Sequence, residues 1–180
     1  MSLQSDIADY RAEHAGMLHV TERFYRGLPF ADAIRYGASA AGPYGKIDPH
    51  QRRIGVRRLR RSAEMLARRL PEIRRAGSFA DLFVITEEVR LEMRGLGHLW
   101  SYDTALRIAF NRGTAFYPQA VFVQRGVVKG VRKIFTRKPA NGRTLPVDIF
   151  PKELQQLQPF ELENFLCVWG KQNNRIPISD

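Results

Sequence analysis

Within residues 93–110, MRGLGHLWSYDTALRIAF, one carboxylate, Asp103, stands among residues otherwise suited to packing. Such a group has two uses. In a helix it can satisfy backbone donors near the N-terminus or pair with Arg107 four residues on. Beside a reacting centre it can stabilise developing positive charge and take a proton from water. The histidines at 14, 19, 50 and 98 show no zinc-binding spacing, and a single cysteine, Cys167, allows neither a disulfide framework nor a Cys-rich metal centre. Glu161 and Glu163 lie two apart and cannot share one helix face as a carboxylate pair. There is no phosphate-binding loop, dinucleotide fingerprint or Gly-x-Ser-x-Gly. No metal or other cofactor is expected.

The second chemical resource is positive charge, a formal +11 over 180 residues. Between Arg52 and Arg75 lie ten arginines in five adjacent pairs, opposed only by Glu64 and Glu72. Like charges four apart destabilise a helix, so an uncompensated block points to an anionic partner. Guanidinium groups grip phosphate through paired hydrogen bonds, which favours nucleic acid. Arg57, Arg61 and Arg68 are the candidate contacts, and a solvated helix face is the alternative. Gln124, Arg125, Lys129, Arg132 and Lys133 form a second basic face, equally readable as solvated surface, with Arg125 and Lys129 as candidate contacts. A membrane is the rival polyanion, but no long apolar run or lipidation motif supports it. The start, MSLQSDIADYRAEHAG, lacks the apolar core of a signal peptide, so a cytoplasmic location is expected. No obligate protein partner is evident.

Helices must position these groups. Residues 3–26 carry a helix-like pattern broken by GLPF; ADAIRYGASA reads as a short helix and AAGPYGKIDPHQ as a loop. From Arg52 to Leu70 the chain reads as helix, with Leu59, Ala63, Leu66 and Leu70 as one apolar stripe that Pro71 ends or bends. Ser78 is the expected N-cap of SFADLFVITEEVRLEM, stopped at Arg94-Gly95, and a further helix from about Leu99 to Asn111 closes at Gly113. YPQAVFVQRGVVKGVRKIF reads as one or two short helices, with strand as the open alternative for its valines. TRKPANGRTLPVDIFP reads as a polar loop, and PFELENFLCVWGK as a helix before a tail containing Pro177. With 44% apolar residues a sizeable core is available. The expectation is one compact all-α domain over 1–180.

Met93, Gly95, Leu96 and Gly97 stand between two of these helices in the pattern apolar-x-Gly-apolar-Gly. The segment resembles the helix-hairpin-helix module of DNA repair proteins. Glycines permit a tight turn with positive φ, the apolar residue tucks beneath the helices, and amides opening the second helix can hold a phosphate. On this resemblance Arg94, Gly95, Leu96, Gly97 and His98 contact the DNA backbone; a plain helix–helix turn is the alternative. Asp103-Thr104 with Arg107 further resembles a segment of the helix-hairpin-helix DNA glycosylase superfamily, over about residues 79–112. The resemblance implies hydrolytic excision of a damaged or modified base from double-stranded DNA. Asp103 would stabilise the oxocarbenium-like sugar, and the base would flip into a pocket. Trp100, Tyr102, Tyr117 and His50 are candidates for that pocket, and Phe110 and Phe116 are close in sequence; core packing is the other reading of these rings.

The match has departures. Arg107 lies one residue nearer the acid than in that superfamily, and Asp103 follows Gly97 by six residues, where the family's acid lies farther downstream. Leu99 occupies the place of the Schiff-base lysine of strand-cutting members, which implies a monofunctional enzyme. One cysteine cannot ligate the iron–sulfur cluster of some relatives. Repair and defence against phage with modified DNA are both roles open to such an enzyme. A non-catalytic DNA-binding or adaptor protein, or an RNA-binding one, would use the same charge.

Overall fold

A computed structural model describes residues 2–135 and 143–172. The described chain is mostly helical with one small two-stranded sheet. It groups into two compact units, His19–Tyr117 and Met1–Leu18 with Pro118–Asp180, where the sequence reading drew a single domain over 1–180. Among the described residues no helix is long and apolar enough to cross a membrane.

The helical pattern over residues 3–26 forms α1 (Leu3–Glu13) and α2 (Ala15–Arg26), and α3 (Phe30–Ser39) follows. The arginine helix begins later than its composition implies. Arg52–Ile54 is a 3₁₀ turn, Gly55 takes φ 86°, and α4 runs Val56–Arg68. Three members of the expected apolar stripe, Leu59, Ala63 and Leu66, are buried in α4, which packs on α3, while the fourth, Leu70, lies beyond its end and is half-buried. Pro71 then opens a separate short helix, α5 (Leu70–Arg75), as suits a residue without an amide donor.

Ser78 caps α6 (Phe79–Glu92), its hydroxyl accepting from the Asp81 amide at 3.2 Å. After the turn comes α7 (His98–Arg112), closed by Gly113 at φ 95°. This helix is central to its unit, packing on both α3 and α6. Of its residues from Trp100 to Phe110, only Asp103 is not fully buried. The surrounding core includes Ile34, Leu59, Leu66, Val89, Trp100 and Ile108. Full burial of each aliphatic side chain of this kind contributes roughly 1.5–3 kcal/mol.

The two glycines of the α6–α7 turn do different work. Gly95 takes φ 94°, a conformation L-residues rarely adopt, whereas Gly97 is the extended N-cap of α7 at φ −105°. The expectation that both glycines serve a positive-φ turn is therefore corrected for Gly97. Leu96 between them is buried, as the turn's pattern requires. Gly95→Ser is expected to cost on the order of 1–2 kcal/mol through backbone strain. Gly97→Ser is expected to be neutral or slightly stabilising, since serine favours the N-cap and a Cβ there meets nothing within 4 Å. Thermal melts of the two variants compare them directly.

In the other unit the valine-rich stretch divides. Residues 120–123 form strand β1 (Ala120–Val123), and α8 runs Val128–Ile134. β1 pairs antiparallel with β2 (Arg143–Pro146), register Val121↔Leu145, inside the segment expected to be a polar loop. Two β-branched valines flanking Phe122 fit a buried strand once a partner is present. Residues 136–142 of that loop and the tail with Pro177 lie outside the described residues. Helix α9 (Pro159–Trp169) is opened by a capping box between Gln158 and Glu161. Ile7, Val121, Val131, Leu162, Phe165 and Trp169 belong to this unit's core.

Candidate functional site

Two features separated in sequence meet in the unit His19–Tyr117. The N-terminal end of α4 and the C-terminal end of α6 with its turn line a groove of about 560 Å³. Arg57, Arg58, Arg61 and Arg94 face it together with Gly55 and Glu92. All four arginines are exposed, and among the described residues none has a carboxylate within ion-pair distance. Glu92 is already taken by Arg69, which also bonds Glu88 and so ties the end of α4 to α6. The first amides of α4 have no side-chain cap, so the positive end of its dipole adds to the same field. Gly95 shapes the groove as well as the turn. A Cβ there would stand 3.1 Å from Arg58 Nε, so any larger residue would push that side chain aside by a few tenths of an ångström.

Other predicted contacts are placed differently. Arg68 is exposed but ends α4, roughly 16 Å along the axis from Arg57. His98 opens α7 with its Nδ1 3.0 Å from Glu87 Oε2, the carboxylate that also accepts from Arg90 Nε at 2.9 Å. In the other unit Arg125 and Lys129 are exposed. The basic face drawn around them is smaller than expected. Gln124 bonds buried Glu163, and Lys133 donates to the carbonyls of Trp169 and Gln172 at 2.7 and 2.8 Å.

Asp103 is the sixth residue of α7, so it cannot cap that helix. That side of the sequence reading is corrected. Its side chain, 18% exposed, accepts from Gln51 Nε2 at 2.6 Å and lies 3.9 Å from Arg107 Nη2. The same guanidinium is closer to Asp48, 2.8 Å from its Oδ2, and Nη1 donates to the Gly37 carbonyl at 3.2 Å. Burial pushes the Asp103 carboxyl up; Arg107 draws it down, Asp48 pushes it further up, and Gln51 and His50 draw it down, leaving it at about 6. Tyr25, also facing this cluster, is pushed by burial to about 12. Arg107 keeps its charge firmly: burial opposes it, but Tyr25, Asp103 and Asp48 more than compensate.

No protein-family model, curated protein or solved structure matches this chain.

The chemistry therefore rests on the cluster itself. A carboxylate ionised at neutral pH yet with a proton affinity far above an ordinary aspartate is suited to general-base work and to stabilising a cation. Sequence reasoning did not join Asp48 and Gln51 to Asp103. They lie in the DPHQ end of a polar loop, where an aspartate and a glutamine carry no signature. Only the burial of Gln51, 1% exposed, marks it as part of a built site. His50 between them is exposed and available to a ligand. The three rings assigned to a base pocket are closed into the interior instead. Trp100 is fully buried and donates to the Ala38 carbonyl at 2.9 Å, and Tyr102 packs edge-on against Phe79. Tyr117, also buried, packs edge-on against Phe110 and bonds Arg26 and Glu22.

Proposed function

We propose that the chain binds double-stranded DNA through the arginine groove and a helix-hairpin-helix formed by α6, the Gly-Leu-Gly turn and α7. The convergence of Arg57, Arg58, Arg61 and Arg94 on one groove beside that turn is the observation that carries this reading. Four unneutralised guanidiniums in one concavity suit successive backbone phosphates, which fix position without reading sequence. Arg68 in the same unit and, separately, Arg125 and Lys129 in the other are further exposed cations.

On that platform the chain removes a damaged or modified base by hydrolysis, in repair or against phage DNA. Asp103 takes a proton from water as the water oxygen bonds to the sugar carbon and the base departs with the electron pair of the glycosidic bond. The proton then passes to the departing base and the carboxylate is restored. Leu99 offers no amine for a Schiff base, so the product is an abasic site with the strand intact. The interior position of Trp100 and Tyr102 favours a second reading, a non-catalytic DNA-binding or adaptor protein, because rings already packed in a core offer no open wall to a flipped base.

The deciding experiment incubates the protein with duplexes carrying normal, alkylated, deaminated or hypermodified bases and then cleaves abasic sites with alkali. Strand breaks that appear only after alkali on one substrate class support the enzyme. Borohydride is expected to trap no protein–DNA adduct on any substrate. Binding without base release from any duplex assigns the second reading, and absence of binding at low salt removes both.

A further inference from the structure

The Arg107 guanidinium serves two carboxylates unequally. It stands 2.8 Å from Asp48 and 3.9 Å from Asp103, although Asp103 is its neighbour one turn away on α7. The preference is built in from outside the helix. The Gly37 carbonyl of α3 holds Nη1, and Asp48 is itself fixed, its Oδ1 accepting from the His50 amide at 2.9 Å. The Asp48 amide donates to the Ala40 carbonyl at 3.0 Å, and its carbonyl accepts from the Gln51 amide at 2.9 Å. The loop that pins Asp48 therefore also delivers Gln51 to Asp103.

We propose that Asp48 is a positioning residue for Asp103: by holding Arg107 against itself it denies Asp103 a full salt bridge and keeps that carboxylate able to accept a proton. The consequence for catalysis rests on the base-excision reading; the positioning itself does not. The groups that face Asp103 are Tyr25 from α2, Asp48, His50 and Gln51 from the loop, and Arg107 from its own helix. Of these, Asp48 acts twice. Its own negative charge disfavours a second one nearby, and its grip on Arg107 keeps that guanidinium at a distance. Gln51 acts the other way, since its donated hydrogen bond favours the ionised form.

Two variants should consequently move the Asp103 titration in opposite directions, which a general loosening of the site would not do. Asp103 is followed by carbon-13 carboxyl NMR in the folded protein without substrate. Asp48→Asn removes the competing charge and frees Arg107, so the midpoint is expected to fall by about one pH unit or more. Gln51→Leu removes the donor, so the midpoint is expected to rise. Asp48→Glu, which retains the charge, keeps the midpoint near that of the wild type. A midpoint unmoved in folded Asp48→Asn overturns the proposal. If Asp48→Asn does not fold, the wild-type Arg107 side-chain nitrogen resonances decide. They should change little through the Asp103 midpoint, and a dominant response there overturns the proposal. Where base release is measurable, its acid limb should move down with the midpoint in Asp48→Asn. Opposite shifts in a protein that releases no base would retire the enzymatic reading and leave the positioning role standing.

Discussion

Asp103→Asn is expected to lose about 10²–10³-fold in base release and at the same time to gain stability at neutral pH. The two effects share one cause. The folded protein holds the Asp103 carboxyl at about 6, above the ordinary 3.8 of the unfolded chain, chiefly through burial. Between those values the folded state binds the extra proton, so the stability that proton confers is present at low pH and declines as pH rises through about 6. Above that range the ionised carboxylate is a liability of up to roughly 3 kcal/mol, at about 1.4 kcal/mol per pH unit. Asparagine keeps the volume and an acceptor for Gln51 but cannot ionise. Its melting temperature should therefore exceed that of the wild type at mildly alkaline pH and converge with it near the ordinary carboxylate range. A dominant stabilising salt bridge to Arg107 predicts the reverse sign. Denaturation at both pH values, beside the alkali-cleavage assay, measures the two effects. A variant that is both less stable at alkaline pH and fully active would remove Asp103 from the chemistry.

The second large effect belongs to the groove. Replacing Arg57, Arg61 and Arg94 together by glutamine is expected to reduce the log–log salt dependence of duplex DNA affinity by about 2.7, at about 0.9 per phosphate contact. Extrapolated to about 0.15 M salt, the same loss is a roughly hundredfold weaker affinity, whatever the sequence of the duplex. All three side chains are exposed and make no ion pair among the described residues, so the fold should be unaffected. Relief of the like-charge pair Arg57 and Arg61, one turn apart, should stabilise α4 slightly. Fluorescence anisotropy over a salt series gives both the slope and the affinity. An unchanged slope would move the phosphate contacts off this groove.

The groove was half legible beforehand. The arginine block and the Gly-Leu-Gly turn each stood out by composition, but their meeting depends on how α4 and α6 pack, which no local pattern encodes. The roles of the two glycines were not separable either, because both types of turn use the same residue and only backbone dihedrals distinguish them. Strand β1 stood only as the alternative to helix, for a related reason. Four residues that can extend become a strand when β2 supplies hydrogen bonds from twenty or more positions away.

The sequence by itself determined what depends on near neighbours. The helix start at Ser78, the break at Pro71, the stop at Gly113, the apolar stripe of α4 and the burial of Leu96 all follow from periodicity and capping. Net charge likewise needs no fold to be counted. Tertiary structure alone decided the chemistry available to Asp103. Its spacing to Arg107 forecast an ordinary helix ion pair, yet Asp48, more than fifty residues away in the chain, holds the guanidinium more closely. Gln51 reaches the same carboxylate from the same loop, and α3 closes over Arg107. A carboxyl's proton affinity is set by desolvation and by charges within a few ångströms, and those neighbours exist only once distant segments have packed.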